Sequence, residues 1–291
     1  MSGAPDRTAP SVGSTLTFAI RRVLRDFELD CESTVDRWPL VLLGPSGSGK
    51  TQLLRVLAGL ERRASGRIAL GDEVWLGEGT WTPPHLRPIG YCSQEGDLFP
   101  HLSVLENVAF PLRDSGIDAS ETRRRVEEAL RLVHLYRFKG AQPHELSGGM
   151  RARAAIARAL VMEPEVMLLD EPFAALDAHT RELLQQELER AWQRTGATMV
   201  FITHDNREAV RLATHVIVMG TRPGRVKLQL DVERDLPRPR DPYDRNLSLL
   251  VTRVARELSA EIEKIAREES DEVPPPATPR PRTEPDFGRD I

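Results

Sequence analysis

Residues 44–51 of this chain read Gly44-Pro45-Ser46-Gly47-Ser48-Gly49-Lys50-Thr51. Glycines at these positions let backbone N–H groups converge on phosphate oxygens, which is how a P-loop holds a nucleotide. The apolar run Leu40–Leu43 precedes the loop and predicts a buried strand, and Gln52–Ala58 follows it and predicts the start of a helix. Because a helix N-terminus attracts anions, this context favours a phosphate cradle over a Gly/Ser-rich turn.

The polar residues of the loop have distinct predicted roles. Lys50 is expected to reach the β- and γ-phosphates of the nucleotide, and the Thr51 hydroxyl is expected to hold Mg²⁺. A nucleotide and Mg²⁺ are therefore the predicted ligands of this segment. The predicted nucleotide-binding residues of this segment are Gly44, Pro45, Ser46, Gly47, Ser48, Gly49, Lys50, Thr51 and Gln52.

A second acidic site follows the apolar run Val166–Leu169, which ends in Asp170 and Glu171. Asp170 is expected to accept Mg²⁺ directly or through water, and Glu171 to orient or deprotonate an attacking water. Such a pair after a strand is, alone, more often a turn or a helix cap. The P-loop upstream favours the catalytic interpretation.

His204 ends another predicted strand, Met199–Thr203, which we place one strand further across the same sheet. A single histidine is usually structural or merely exposed. Ligands bind at the carboxyl ends of parallel strands, so a contact from His204 to the γ-phosphate is the prediction here.

A second anion site is predicted at Ser147, Gly148 and Gly149, which follow Leu146 and precede a helical segment. The serine and the two backbone N–H groups would lie at the helix N-terminus, where anions bind. As a tetrapeptide taken alone, Leu146–Gly149 is also a plausible helix cap.

Composition excludes several classes of protein. The chain has 291 residues, a formal net charge of -4 and only two cysteines, Cys31 and Cys92. The chain has no excess of basic residues, so its charge does not suggest a nucleic-acid partner. Two distant cysteines form neither a disulfide framework nor a zinc site, which fits a reducing cytoplasm. We find no N-terminal signal segment and no run near the roughly 18 apolar residues that span a bilayer, so a membrane role would come through a partner.

The order of strand-like and helix-like segments predicts an α/β fold with a parallel sheet, an N-terminal antiparallel β region and an inserted helical subdomain at about 95–162. We divide the chain into a P-loop domain at 14–232, a helical extension at 233–270 and a disordered Pro-rich tail at 271–291. The extension carries one amphipathic stripe, Leu247, Leu250, Val251, Val254, Leu258, Ile262 and Ile265.

Taken together and in this order, the motifs resemble the ATP-binding subunit of an ABC transporter, over about Leu16 to Gly224. The resemblance implies that the nucleotide is ATP, so that ATP and Mg²⁺ are the expected cofactors. It agrees with the catalytic role of Glu171 and adds the switch role of His204. The matching segments are Walker A at Gly44–Thr51, the Q-loop at Gln94, the signature at Leu146–Gly149, Walker B at Val166–Asp170 and the D-loop at Ala174–Asp177.

The resemblance implies a head-to-tail dimer in which Ser147 and Gly149 of one subunit close on the γ-phosphate held by another. It also implies a catalytic and Mg²⁺-binding role for Gln94 and a nucleotide-site role for Asp177. The implied partners are transmembrane permease subunits, a second ATP-binding subunit and, indirectly, a periplasmic or extracellular solute-binding protein. The implied location is the cytoplasmic face of the cell membrane, as a peripheral subunit.

Two positions near these motifs depart from the family pattern. Met150 stands where glutamine is common after the signature, and Ala174 replaces the usual D-loop serine. A degenerate cassette that binds nucleotide with little turnover stays open on this ground, although the intact catalytic residues argue against it.

The adenine contact also departs from the pattern, because Arg21–Val23 occupy the region where the family has a stacking aromatic. Arg22 is one candidate for stacking on the base, and weak stacking is the alternative. Phe18 and Phe27 flank the stretch and are as compatible with the core.

The substrate signals point to an oxyanion. Segments 26–30, 81–91 and 98–104 resemble molybdate-importer subunits, whereas Thr221–Val226 and Asp235–Arg240 resemble the nitrate, sulfonate and taurine group. We therefore expect an import ATPase for an oxyanion such as molybdate, with a nitrate/sulfonate/taurine-type importer as the alternative. A non-transport ABC ATPase acting on DNA or ribosomes is the rival from another class.

Overall fold

A mixed β-sheet runs through the residues that the computed structural model describes, which are 15–24, 27–35, 39–241 and 244–271. Its strands in chain order are β1 Leu16–Leu24, β2 Phe27–Val35, β3 Leu40–Leu43, β4 Ser65–Leu70, β5 Glu73–Gly77, β6 Thr80–Trp81, β7 Ile89–Cys92, β8 Val166–Asp170, β9 Thr198–Ile202, β10 His215–Met219 and β11 Gly224–Asp231. The α-helices are α1 Lys50–Leu57, α2 Val104–Ala109, α3 Ala119–Leu132, α4 Gly148–Leu160, α5 Ala178–Thr195, α6 Asn206–Leu212, α7 Val232–Asp235 and α8 Arg245–Asp271. Short 3₁₀ turns lie at Pro84–Leu86, Phe110–Leu112, Tyr136–Phe138 and Pro143–Glu145.

The sheet has a parallel and an antiparallel half, in the order β6-β5-β4-β1-β2-β11-β10-β3-β9-β8-β7. Strands β10, β3, β9, β8 and β7 pair in parallel, whereas β2, β1, β4, β5 and β6 pair antiparallel. Strand β11 joins the halves, antiparallel to β10 and parallel to β2. The predicted fold class, with its N-terminal antiparallel region, is confirmed.

Burial patterns explain the two halves. Every residue of β3, β8 and β9 is buried, as expected for strands covered by helices on both faces. Leu40 and Leu42 pack on the side of α1, while Val41 and Leu43 pack on the opposite side with α5 and α6. Strand β1 instead alternates between buried and more exposed positions, which is typical of a sheet with one face toward the core.

The helices between β7 and β8 begin with α2, which has a capping box: the Ser103 side chain accepts from the Glu106 N–H, and the Glu106 carboxylate accepts from the Ser103 N–H. Asn107 is fully buried, and its side-chain amide donates to the carbonyls of Phe99, Leu102 and Ser103. These bonds hold the loop that leads from β7 into the helices. The proposed boundaries at 95 and 162 stay predictions.

The predicted apolar stripe of α8 is well buried only over the first half of the helix. Leu247 and Val254 are fully buried, but Ile262 is 54 % exposed. Its neighbour Glu261 is buried instead and accepts from Lys227 Nζ at 3.0 Å. Among the described helices none is long and apolar enough to cross a membrane. The division at 232 and 270 stays a prediction, and residues 272–291 of the predicted tail lie outside the described part.

Candidate functional site

The carboxyl ends of four parallel strands bring the predicted site residues to one edge of the sheet. The P-loop follows β3, Gln94 follows β7, Glu171 follows β8 and His204 follows β9. Strand β9 is next to β8, as predicted, but it lies on the side facing β3. The strand that leads to His204 therefore lies between the strand that leads to the P-loop and the strand that leads to Glu171.

The P-loop backbone requires glycine at two places where its neighbours approach closely. Gly49 has a φ of 90°, and a Cβ there would lie 2.8 Å from Phe27 Cζ. A Cβ on Gly44 would lie 2.6 Å from the Met219 carbonyl oxygen. Helix α1 begins at Lys50 with no side-chain cap and no acidic residue in its first turn. Its N-terminal N–H groups are thus available to an anion.

Lys50 is folded back onto the loop that carries it. Its buried Nζ donates to the carbonyl oxygens of Gly44 at 2.8 Å and Pro45 at 2.9 Å. Desolvation lowers the pKa of Lys50, and the nearby carboxylates of Glu171 and Asp170 act in the opposite direction. The ammonium can exchange these neutral carbonyls for phosphate oxygens, which are charged acceptors and make stronger hydrogen bonds.

Asp170 provides a buried carboxylate that suits a cation. Its side chain is 2 % exposed, and its Oδ1 has no hydrogen-bond partner among the described residues. Burial raises the pKa of Asp170, while a hydrogen bond with the Thr51 side chain opposes that shift. One carboxylate beside a hydroxyl matches the way Mg²⁺ is usually bound, by few protein ligands together with substrate phosphates. These residues therefore fit the predicted Mg²⁺ site.

The predicted catalytic residues meet at Glu171. Its Oε1 lies 2.6 Å from His204 Nε2, and its Oε2 accepts from Gln94 Nε2 at 3.4 Å. Glu171 has a φ of 50°, which is unusual for a residue with a side chain, and its N–H donates to the Ile202 carbonyl at 3.1 Å. This bond ties the end of β8 to β9 and keeps the two catalytic strands in register.

A cleft of 560 Å³ adjoins Glu171 and His204. Its wall includes Ala174, Glu208 and Val251, so α6 and α8 both border the catalytic pair. Sequence reasoning did not find Glu208. The available signal was a charged residue next to Ala209 and Val210 on a short helix, which does not by itself indicate burial.

Ser147 is the N-cap of α4, and its hydroxyl accepts from the Met150 N–H at 3.2 Å. A Cβ on Gly149 would lie 3.0 Å from the Ala175 carbonyl oxygen, so the signature packs closely on the D-loop. Within the described residues no hydrogen bond joins Ser147–Gly149 to the P-loop. Their nucleotide role stays a prediction.

Asp177 caps α5, where its side chain accepts from the Thr180 N–H at 2.9 Å. Hydrogen bonds to Thr180, the backbone one foremost, lower the pKa of Asp177. Its proposed nucleotide contact stays a prediction.

Arg22 does not occupy the position of a stacking group. It is 6 % exposed, donates to Gln52 Oε1 at 2.6 Å and pairs with Glu61 Oε2 at 3.0 Å. Phe18 is also buried, at 3 % exposed. Phe27 is half-buried, and its ring lies against Gly49. The structure therefore contradicts stacking by Arg22 in this arrangement and leaves Phe27 as an aromatic residue that lies against the loop.

Comparison with known proteins finds similarity to ABC transporter proteins and to import ATP-binding proteins. A family model described as ABC transporter matches residues 34–174. The spermidine/putrescine import ATP-binding protein PotA of Marinobacter nauticus is 42% identical over 243 residues, covering 84% of this chain and 61% of that protein. The probable sulfate/thiosulfate import ATP-binding protein CysA of Chlorella vulgaris is 50% identical over 178 residues, covering 61% of this chain and 74% of that protein.

A similar solved structure is the dimeric post-hydrolysis state of the ATP-binding cassette MJ0796 bound to ADP and Pi. It has a TM-score of 0.66 and 27% sequence identity, covering 75% of this chain and 98% of that chain. The chain spans about three fifths of the length of the Marinobacter nauticus relative, 61%.

Proposed function

This chain belongs to the family of ABC transporter ATP-binding proteins, and we propose that it hydrolyses ATP to drive import of a small solute through transmembrane permease subunits. The observation that supports this proposal is that Gln94 and His204 both contact the carboxylate of Glu171. It lies at the sheet edge that also carries the P-loop and Asp170 Oδ1, which has no hydrogen-bond partner within the part of the chain that the structure describes. These are the parts that in-line attack of water on a phosphate requires.

Each residue has a proposed task in hydrolysis. Lys50 moves from its loop carbonyls to the β- and γ-phosphates. Thr51, Asp170 and Gln94 hold Mg²⁺, which neutralises phosphate charge when bound. Glu171 accepts a proton from the attacking water. Each of its oxygens has one partner here, and a carboxylate oxygen can accept a second hydrogen bond, so the water can donate to Glu171 while His204 and Gln94 stay in place.

We propose that the working unit is a head-to-tail dimer. Ser147, Gly148, Gly149 and Asp177 would then complete the nucleotide site of a second copy, because Ser147 and Gly148 are exposed and, among the described residues, Ser147–Gly149 make no hydrogen bond to their own P-loop. The dimeric MJ0796 structure with ADP and Pi supports this arrangement. A permease at the cytoplasmic face of the membrane and an external solute-binding protein are the remaining proposed partners.

For the solute we propose an oxyanion such as molybdate, with a nitrate-, sulfonate- or taurine-type importer as the alternative. The 50% identity with a probable sulfate/thiosulfate import protein supports an oxyanion, whereas a spermidine/putrescine import protein is 42% identical. The segment Asp235–Arg240 is weaker support for the nitrate-, sulfonate- or taurine-type alternative than its sequence suggests. The Arg240 side chain is buried against the end of α6 and stabilises the fold. Uptake of molybdate, nitrate, taurine and spermidine by cells lacking the gene separates these solutes.

The hydrolytic role is tested by Glu171→Gln, which keeps the shape and removes the base. We expect single-turnover ATP hydrolysis to fall by about 100-fold or more, and an ATP-bound dimer to accumulate on size-exclusion chromatography. Glu182→Gln is the matched control, since Glu182 is exposed on α5. Turnover by Glu171→Gln at the wild-type rate would refute the role of Glu171. Recovery of the protein only with DNA or ribosomes would favour the non-transport rival.

A further inference from the structure

We propose that Glu208 is a positioning residue for hydrolysis, which holds His204 in place beside Glu171 through the hydroxyl of Thr203. The inference rests on the proposed ATPase function. Glu208 lies in the first turn of α6, four positions after His204, and borders the same cleft as the catalytic pair.

The Glu208 carboxylate is buried and bonded on both oxygens. It is 7 % exposed, its Oε2 accepts from the Thr203 hydroxyl, and its Oε1 accepts from Gln185 Nε2 on α5. Burying a carboxylate is costly unless its oxygens have donors, and these two donors meet that need. The carboxylate thus ties the end of β9 to α5.

The Thr203 hydroxyl connects the Glu208 carboxylate to the backbone on both sides of His204. Its hydroxyl donates to Glu208 and also accepts from the Asp205 N–H at 3.1 Å. The residue before His204 therefore carries this hydroxyl, and the backbone N–H of the residue after His204 donates to it. The backbone of His204 lies between two fixed points.

His204 needs such a constraint because its own side chain has little packing around it. The imidazole is 52 % exposed, yet its Nε2 lies 2.6 Å from Glu171 Oε1. An exposed side chain on a loop takes its direction from the backbone that carries it. A misplacement of about 1 Å at a catalytic group can cost about 100-fold in rate.

A role confined to capping α6 would not produce this pattern. Asp205 already caps the helix, with its Oδ1 accepting from the N–H groups of Arg207 and Glu208. The Glu208 side chain turns away from the helix toward β9 and α5 instead.

Glu208→Ala is the first test, with Glu182→Ala as the control on α5. We expect the single-turnover rate to fall by about 10-fold or more, while the Kd for ATP, measured with a fluorescent analogue, changes by less than about 2-fold. Glu208→Gln should stay within about 3-fold of the wild-type rate, because the amide still accepts from Thr203 and Gln185 can rotate to present its oxygen.

A double-mutant cycle with His204→Ala separates positioning from general structure. If Glu208 acts through His204, adding Glu208→Ala to His204→Ala should lower the rate no further. An equal loss in both backgrounds would overturn the inference, as would weakened ATP binding with an unchanged rate.

Thr203→Val decides the case if Glu208→Ala fails to fold. It removes the hydroxyl and nearly conserves the volume, and we expect it to reproduce the loss of rate. A wild-type rate in folded Thr203→Val protein would overturn this inference alone. A wild-type protein that hydrolyses no ATP would instead overturn the proposed function.

Discussion

Replacing Arg240 with methionine is expected to lower the free energy of unfolding by about 3 kcal/mol. Its side chain is 2 % exposed and its Nη1 donates to the carbonyls of Val210, Arg211 and Ala213 at the end of α6. The last carbonyls of a helix have no partner within the helix, so Arg240 serves as the donor that they lack.

The magnitude follows from counting what methionine leaves unpaired. Three carbonyls of the α6 end share the two protons of Nη1, and the Leu236 carbonyl accepts from Nε at 2.8 Å, so three N–H donors are lost. Each lost donor that leaves a buried group without a partner costs about 1–3 kcal/mol. Glu233 also loses its 2.8 Å contact with Arg240, but it is 39% exposed and water can replace that contact. We therefore take the low end for each of the three lost N–H donors, since the four carbonyls are only partly buried and methionine fills much of the volume. Burial lowers the pKa of Arg240 to about 10, so the guanidinium is still charged near neutral pH.

Guanidinium chloride unfolding, followed by tryptophan fluorescence, measures this loss as a shift of the midpoint at constant slope. Arg234→Met is the matched control, because Arg234 is 72% exposed and pairs with its neighbour Asp235. We expect the control midpoint to match the wild type. An Arg240→Met midpoint equal to that of the control would refute the capping role of Arg240.

Two further predictions concern burial elsewhere in the chain. Glu261→Ala should cost about 1–3 kcal/mol in the same assay, because Glu261 is 7 % exposed and its loss leaves the buried Thr221 N–H without its 3.4 Å acceptor. Ile262→Ala, at a site 54 % exposed, is the control, and equal stability of the two variants would contradict the argument from burial. Burial raises the pKa of Cys31 and Cys92 from 9.0 to about 12, so neither thiol should react with Ellman's reagent in the native protein at about pH 8. Between pH 9.0 and about pH 12 the unfolded thiols lose their protons while the folded thiols keep them. The contribution of the two thiols to the free energy of unfolding therefore falls as the pH rises through that interval. Fast labelling of either native thiol would show that it is not buried.

Much of the candidate site was predictable because each piece is local. The P-loop, the pair Asp170-Glu171 and His204 each follow an apolar run, and a strand end at a parallel sheet is a place where ligands bind. Spacing over a few residues sets which N–H groups, hydroxyls and carboxylates can act together. The sequence by itself therefore determined the fold class and the residue types of a nucleotide site.

Other features depend on partners far apart in the chain, and only the tertiary structure decided them. The place of β9 between β3 and β8 follows from how the crossovers pack, which the order of segments does not specify. Arg22 bonds Gln52 30 positions away, and this bond removes a predicted stacking group. Gln185 and Glu208 are 23 positions apart and meet beside His204. A side chain's partner across such a distance depends on packing, so its role in binding or catalysis can be assigned only once the strands and helices are assembled.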